Sequence, residues 1–70
     1  MEKEQFERFL NKNVEVDFCQ GEKTEDNFGS VEGELIQIDN DSIIITNKTL
    51  WQRIYFYELE RILLKEKMND

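Results

Sequence analysis

Residues 31–47 carry the clearest alternation of apolar and polar positions in the chain. Val31, Gly33 and Leu35 fall on one face of a strand, and two glutamates fall on the other. This is the period of a strand with one buried and one solvated side. After a polar turn at residues 39–42 come three consecutive isoleucines, whose branched Cβ atoms favour a strand. The pattern predicts a β-hairpin, because Asp and Asn suit the reversal.

Gly33 has a specific role in this hairpin. A glycine inside a strand lets a strongly bent sheet turn a corner, or lets another backbone approach closely. Small barrels need such corners. We therefore expect a bend or a close backbone contact at Gly33.

Residues 2–12 are predicted to form an α-helix with a narrow apolar stripe. Phe6, Phe9 and Leu10 lie at positions i, i+3 and i+4, and Asn13 is a suitable stop residue. The stripe either covers the open end of a barrel or docks a partner. The first interpretation is preferred, because an amphipathic stripe usually faces the core.

Two further segments precede the hairpin. Residues 14–18 alternate strictly and predict strand one, with Phe18 facing inward. Residues 20–30 are polar, contain two glycines and have Phe28 as their only apolar anchor. This segment is long for a hairpin loop, and is either a mobile binding loop or a longer ribbon with irregular ends.

The most aromatic part of the chain lies at residues 50–57, and we expect this strand to be covered on both sides. One face holds Leu50, Ile54 and Phe56, and the other holds Trp51, Arg53, Tyr55 and Tyr57. Residues 58–64 form either a helix or a turn and a last strand. The strand is preferred because it would close the barrel and remove its edges. The prediction is one domain over residues 1–70, with a capping helix at 1–13, a barrel at 14–64 and a frayed tail at 65–70.

Composition fits a small folded domain. The 70 residues are 39% apolar and 36% charged, unlike a disordered tail. No apolar run approaches the roughly 18 residues of a membrane span, and no apolar signal core begins the chain. Cys19 is the sole cysteine and cannot form an internal disulfide. These features predict a cytoplasmic protein without membrane contact.

The net charge of −7 disfavours a broad, non-specific grip on nucleic acid, which needs many Lys and Arg. An acidic domain meets a basic protein more readily. Maintenance of solubility is an equally good interpretation of the charge.

Catalytic and metal-binding patterns are missing from the sequence. There is no histidine to activate Cys19. The carboxylates at Glu22, Glu25 and Asp26 match no calcium loop, and the turn at residues 39–41 fails at the next ligand position, Ile43. We therefore predict no enzyme, no metal and no cofactor.

The order of elements and the motif Gly33-x-Leu35-x-x-x-Asp39-x-x-x-Ile43-x-Ile45 resemble the Sm-like fold over about residues 5–64. The resemblance implies a mainly β structure, an N-terminal α-helix followed by a five-stranded, strongly bent antiparallel barrel of the Sm-like or SH3 type. Residues 39–47 and 54–57 align with the two motifs of the RNA chaperone Hfq. However, Asp41 stands where that family stacks a base, and Phe56-Tyr57 replaces its Lys-His pair.

The closest resemblance in motif detail is to the C-terminal domain of the ribosome maturation factor RimP. Asp39-x-Asp41-x-Ile43 resembles its turn, and Ile54-x-Phe56-x-x-Leu59 resembles its final motif. The long first loop and the acidic balance also resemble that family. The chain has no counterpart of its N-terminal domain, so the ribosomal role need not follow.

The resemblance implies a non-enzymatic interaction module that acts in an RNA- or ribosome-related assembly through protein contacts. The alternative is a homo-oligomeric ring that binds single-stranded RNA, because in Sm-like rings the fourth strand pairs with a neighbour's fifth. The candidate binding surface consists of Trp51, Arg53, Tyr55, Tyr57 and Asn40. Trp, Tyr and Arg dominate binding hot spots. In the competing interpretation, this face packs under the N-terminal helix or the long loop.

Overall fold

The computed structural model describes residues 3–65, which form one five-stranded antiparallel sheet and three short 3-10 helices. The strands are β1 (Asn13–Cys19), β2 (Phe28–Ile38), β3 (Ser42–Thr46), β4 (Trp51–Tyr55) and β5 (Leu59–Leu64). The 3-10 helices are η1 (Lys3–Phe9), η2 (Glu25–Asn27) and η3 (Phe56–Glu58). The strand order across the sheet is β4-β3-β2-β1-β5. The mainly β, antiparallel prediction is therefore confirmed, and so is the hairpin of β2 and β3.

The N-terminal segment is not the α-helix that the sequence predicted. It is a 3-10 helix that ends at Phe9, and Asn11 reverses the chain with a φ of 66°. Asn13, the predicted stop residue, already belongs to β1. The segment is short because backbone bonds tie it to β2: the Asn11 amide donates to the Leu35 carbonyl over 2.7 Å.

The apolar stripe of this helix is only partly as predicted. Phe6 and Phe9 are buried, whereas Leu10 is exposed. Three residues per turn put positions i and i+3 on the same side of a 3-10 helix, and move i+4 away from it. Phe6 lies in the core and its ring stacks on Phe56 in η3, with centroids 5.0 Å apart. The helix therefore covers the core, although the closed barrel whose end it was predicted to cover is not found within residues 3–65.

One hydrophobic core joins η1 to the sheet. Its fully buried members are Phe6, Val14, Val16, Leu35, Ile43, Ile45 and Ile54. Of these, Val14 and Val16 were predicted to face inward from their alternation, Leu35 was placed on the dry face of its strand, and Phe6 was predicted to face the core from its helical spacing. Phe18, also predicted to face inward, is only partly buried, because its ring reaches across to Gly29, its partner on β2.

β2 approaches β3 very closely at Gly33. A Cβ atom added there would lie 2.5 Å from the Thr46 carbonyl oxygen, a separation that no real Cβ tolerates. The ladder between these strands shifts register between Leu35 and Gln37, which indicates a bulge. The close backbone contact predicted for Gly33 is confirmed.

The first connection is shorter than its sequence suggested. Phe28 already pairs with Cys19, so the ribbon of β1 and β2 extends to that point. The longer-ribbon interpretation of residues 20–30 is therefore correct. Phe28 is 48% exposed, so the prediction that it anchors the segment is wrong. Polar bonds hold the connection instead, including one of 2.7 Å from the Asn27 side-chain amide to the Glu22 carbonyl.

The end of the chain follows the turn-and-strand prediction, with η3 leading into β5. However, β4 pairs with β3 and β5 pairs with β1, and within residues 3–65 these outer strands do not pair with each other. The expected removal of both edges is not found. Lys65, assigned to the frayed tail, donates its amide to the Asn13 carbonyl over 2.8 Å. Residues 66–70 of that predicted tail lie outside the described residues, as do residues 1–2.

In the described part of the chain, no helix has the length and apolar character needed to cross a lipid bilayer.

Candidate functional site

Within residues 3–65, the outer edge of β4 pairs with no other strand. The Phe56 amide donates to the Asp41 carbonyl over 2.9 Å, and the Leu50 carbonyl accepts from the Asn47 amide over 3.0 Å. Antiparallel strands alternate between residues bonded to the neighbour and residues turned away from it. The backbone groups of residues 51, 53 and 55 therefore point away from β3.

Large aromatic side chains accompany this edge. Trp51 is 59% exposed, Tyr55 37% and Tyr57 81%. We call these three residues the aromatic surface. The rings of Tyr55 and Tyr57 stack with centroids 5.6 Å apart and planes 22° apart. The expectation that this strand is covered on both sides is wrong for residues 3–65, where this face is not packed under η1 or under residues 20–27.

Tyr57 belongs to a different element from Trp51 and Tyr55, the other two residues of the aromatic surface. The sequence placed it on β4 by alternation, but it lies in η3. The 3-10 turn brings its ring back over Tyr55, its neighbour two positions earlier. The Tyr55 amide, one of the outward groups of β4, donates to the Glu58 carboxylate over 3.4 Å. The free outward amides of β4 are therefore those of Trp51 and Arg53.

Arg53 is tied to the turn between β2 and β3. Its Nη1 donates to Asp39 Oδ2 over 2.7 Å and to Ser42 Oγ over 2.8 Å. Ser42 is fully buried and donates in turn to Asp41 Oδ1 over 3.1 Å. This arrangement, which we call the Arg53 clamp, fastens β4 to the hairpin. Because Asp39 neutralises the guanidinium, Arg53 offers less charge to a phosphate than the sequence suggested.

Sequence reasoning missed the Arg53 clamp. It treated Ser42 only as a turn residue and Asp39 only as a failed calcium ligand. The register pairs Arg53 with Ile44, two positions after Ser42, so an arginine can reach back to the turn. A prediction of which residues of β3 and β4 lie opposite each other would have placed Arg53 near Ser42.

The Asp39 carboxylate is held as an anion. The Gln37 side-chain amide donates to its other oxygen over 2.8 Å. The hydrogen bonds from Gln37 and then Arg53 lower the pKa of Asp39 below its ordinary 3.8, against a smaller opposing effect of desolvation. The carboxylate therefore stays charged under mildly acidic conditions.

Asp39 should make the stability of the protein fall in acid. A lowered folded-state pKa means that the unfolded state takes up the proton first, so stability is fully present above about pH 3.8 and is lost as pH falls through the folded-state pKa. Urea midpoints at pH 7 and at steps below pH 4 should show a shallower acid decline for Asp39→Asn than for the wild type. Asp26→Asn, in exposed η2, is the matched charge control. An unchanged acid decline in Asp39→Asn would contradict the assignment.

Asn40, the remaining candidate, lies exposed at the tip of the turn between β2 and β3. No described hydrogen bond or ring contact joins it to the aromatic surface. The structure thus brings Tyr55 and Tyr57 together, places Trp51 at the start of β4 opposite Thr46, and gives Arg53 to the clamp.

A second surface was not found from the sequence. Two adjoining cavities, of about 530 and 350 Å³, run between η1 and β5 and share Arg8, Phe9 and Ile62. We call them the β5 groove. The remaining lining residues are Glu4, Gln5, Phe6, Lys12, Glu60, Arg61, Leu63 and Leu64. The apolar run at residues 62–64 was a signal for this groove, but the run was assigned to a closed barrel.

Within residues 3–65, no three His, Cys, Asp or Glu side chains are grouped so that they could hold a metal ion. Cys19 is buried, and its thiol donates weakly to the carbonyls of Gly21 and Glu22 at 3.8 and 3.5 Å.

The chain has no significant match to a family model, to a curated protein sequence or to a solved structure. Its function is therefore argued from the two surfaces themselves.

Proposed function

We propose that this chain is a non-catalytic, Sm-like interaction module that binds a protein partner through the edge of β4, in an RNA- or ribosome-related assembly. The observation that carries the proposal is the aromatic surface, formed by Trp51 and Tyr55 on the outer strand β4 and by Tyr57 in η3, beside an edge with which no strand pairs within residues 3–65. Isolated apolar residues on a surface are ordinary, but a group of them with unpaired backbone is typical of a binding site.

The Sm-like part of the proposal rests on topology. A 3-10 helix precedes five antiparallel strands, and a single 3-10 turn joins β4 to β5 at opposite edges of the sheet. At Gly33 β2 approaches the backbone of β3 closely, and the ladder shifts register two residues further on. These features are those expected of a small bent barrel whose outer strands approach each other. Fold similarity alone assigns no function, so the partner is argued from the surface.

The partner that fits is a basic protein. Asp41 lies exposed beside β4 in the turn, and the Glu58 carboxylate lies over the Tyr55 amide. The chain as a whole carries −7, which speeds encounter with a positively charged surface. Trp51 would supply the apolar anchor, since tryptophan is among the commonest hot-spot residues.

The test is affinity capture with a matched pair of variants. Trp51→Ser should weaken retention of the partner by about 30-fold or more, as expected for a hot-spot residue that contributes at least about 2 kcal/mol. Phe28→Ser removes another exposed aromatic ring, on β2, and should leave retention unchanged. Mass spectrometry identifies the retained protein, and titration with the purified partner gives the affinities. Equal losses in both variants would contradict a specific role for β4.

A second candidate is a homo-oligomeric ring that binds single-stranded RNA. It is favoured by the two unpaired edges of one sheet, since β4 of one copy could pair with β5 of the next. The Tyr55 and Tyr57 rings would then offer stacking faces for bases. Light scattering should give a mass several times 8.5 kDa, and short A-rich or U-rich oligonucleotides should bind at low salt. A strict monomer at high concentration would remove this candidate.

A further inference from the structure

The second unpaired edge, that of β5, differs in chemistry from the edge of β4. The Lys65 amide bonds to Asn13, so the residues of β5 that bond to β1 are 61, 63 and 65. The amides and carbonyls of Ile62 and Leu64, two residues that line the β5 groove, consequently point away from β1. Within residues 3–65, no other strand pairs with β5.

The core is incompletely covered at this edge. Leu64 pairs with Val14 on the core face of the sheet, and Ile62 pairs with Val16. Both valines are fully buried, yet Leu64 is 45% exposed and Ile62 only partly buried. An additional strand along β5 would remove this apolar area from water and pair the outward backbone groups.

The charge of the groove changes along its length. At one end Glu60 pairs with Lys23 over 3.2 Å, and Arg61 pairs with Asp17 over 2.8 Å, so these charges are compensated locally. At the other end the described lining includes Arg8, which forms no ion pair within residues 3–65. The Arg8 guanidinium lies over the Phe9 ring, 4.7 Å from its centroid.

From these observations we propose that the β5 groove binds an extended segment of another protein, with alternating apolar and acidic residues, as an added strand. Its apolar residues would cover Leu64 and Ile62, and a carboxylate would meet Arg8. A second copy's β4 fits less well, because its five residues Trp51–Tyr55 include no carboxylate. The proposal concerns a different edge from the proposed function and does not rest on it.

The experiment uses the full chain labelled with ¹⁵N and two synthetic eight-residue peptides. One alternates valine with glutamate and the other alternates valine with lysine. The glutamate peptide should shift the amide resonances of Arg8, Ile62 and Leu64 in a saturable manner. The lysine peptide should bind about fivefold more weakly, the upper range for one partly exposed ion pair.

Two charge reversals sharpen the test. Arg8→Glu should weaken binding of the glutamate peptide by about five- to tenfold. Lys48→Glu makes the same charge change in the exposed turn between β3 and β4 and should have little effect. Leu64→Pro removes one outward amide at the end of β5 and should abolish binding, while circular dichroism verifies that the sheet is retained.

Several results would overturn the proposal. Shifts confined to β4, equal binding of both peptides, or no shift at millimolar peptide would each exclude an acidic strand at β5. A mass that doubles with concentration, and that Leu64→Pro returns to the monomer, would make the occupant a second copy instead. Trp51→Ser should leave peptide binding unchanged, so failure at β5 and failure at the aromatic surface are distinguishable.

Discussion

Gly33→Ala is expected to lower the free energy of unfolding by about 3 kcal/mol, the upper range for an overpacked position. The new methyl group would meet the Thr46 carbonyl oxygen at 2.5 Å and the Ile45 side chain at 2.9 Å. Backbone cannot swing aside as a flexible side chain can, so β2 and β3 would have to separate. A domain of this size has roughly 5 kcal/mol in total, and urea denaturation should show a large loss of its midpoint.

Gly29→Ala is the matched control, since it makes the same change four positions earlier in β2. Its Cβ would lie 2.8 Å from the Phe18 ring. That ring is only partly buried and can rotate outward, so the cost should be clearly smaller, about 1 kcal/mol. If Gly29→Ala were as destabilising as Gly33→Ala, the close backbone contact would not be what requires a glycine at position 33.

Phe6→Ala should cost about 3–5 kcal/mol, as is usual for deletion of a buried aromatic side chain. Phe6 is fully buried and its ring stacks on Phe56, with planes only 14° apart. It connects η1 to η3, and so joins the N-terminal segment to the turn between the two outer strands. The loss should therefore exceed that of any single surface substitution, as measured by thermal and urea unfolding.

Two further variants separate the stacking contact from burial in general. Phe28→Ala removes a ring that is half exposed and should change stability by less than about 0.5 kcal/mol. Phe6→Leu keeps most of the apolar volume but not the ring, and should recover more than half of the loss. A Phe6→Ala protein as stable as Phe28→Ala would show that η1 does not cover the core in solution.

Substitution of Phe6 also bears on the candidate surfaces. Phe6 is in the lining of the β5 groove. Its stacking partner Phe56 is the residue between Tyr55 and Tyr57 in the sequence. Loss of Phe6 should therefore disturb binding at either edge, whereas Trp51→Ser leaves the core intact. Binding measurements on the surfaces are best made with the exposed variants.

Much of the fold followed from local patterns. The alternation in β1, the isoleucine run of β3 and the polar turn between β2 and β3 each predicted an element that the structure contains. Gly33 predicted a close backbone approach, because a glycine weakens a strand interior and so marks a bend or a nearby backbone. The N-terminal helix was misjudged, since a spacing of three and four fits an α-helix, while backbone bonds to Leu35 selected a shorter form.

The candidate sites were harder to predict from local patterns than the fold was. The three rings of the aromatic surface were named together with Arg53 and Asn40 as a candidate surface, but their exposure was not predictable, because large side chains on both faces of a strand suggested burial. Arg53 was assigned to binding, whereas its guanidinium holds Asp39 and Ser42. The β5 groove arises where η1 passes β5, and these two segments are about fifty residues apart in the chain.

The amino-acid sequence alone determined the strands, the turn and the glycine at the close backbone contact, because each depends on side-chain period and on backbone freedom within a few residues. Only the tertiary structure decided which edges stay unpaired, which aromatic rings face water and which arginine is held in a clamp. Those outcomes depend on contacts between segments that are far apart in the chain, and local pattern does not encode them.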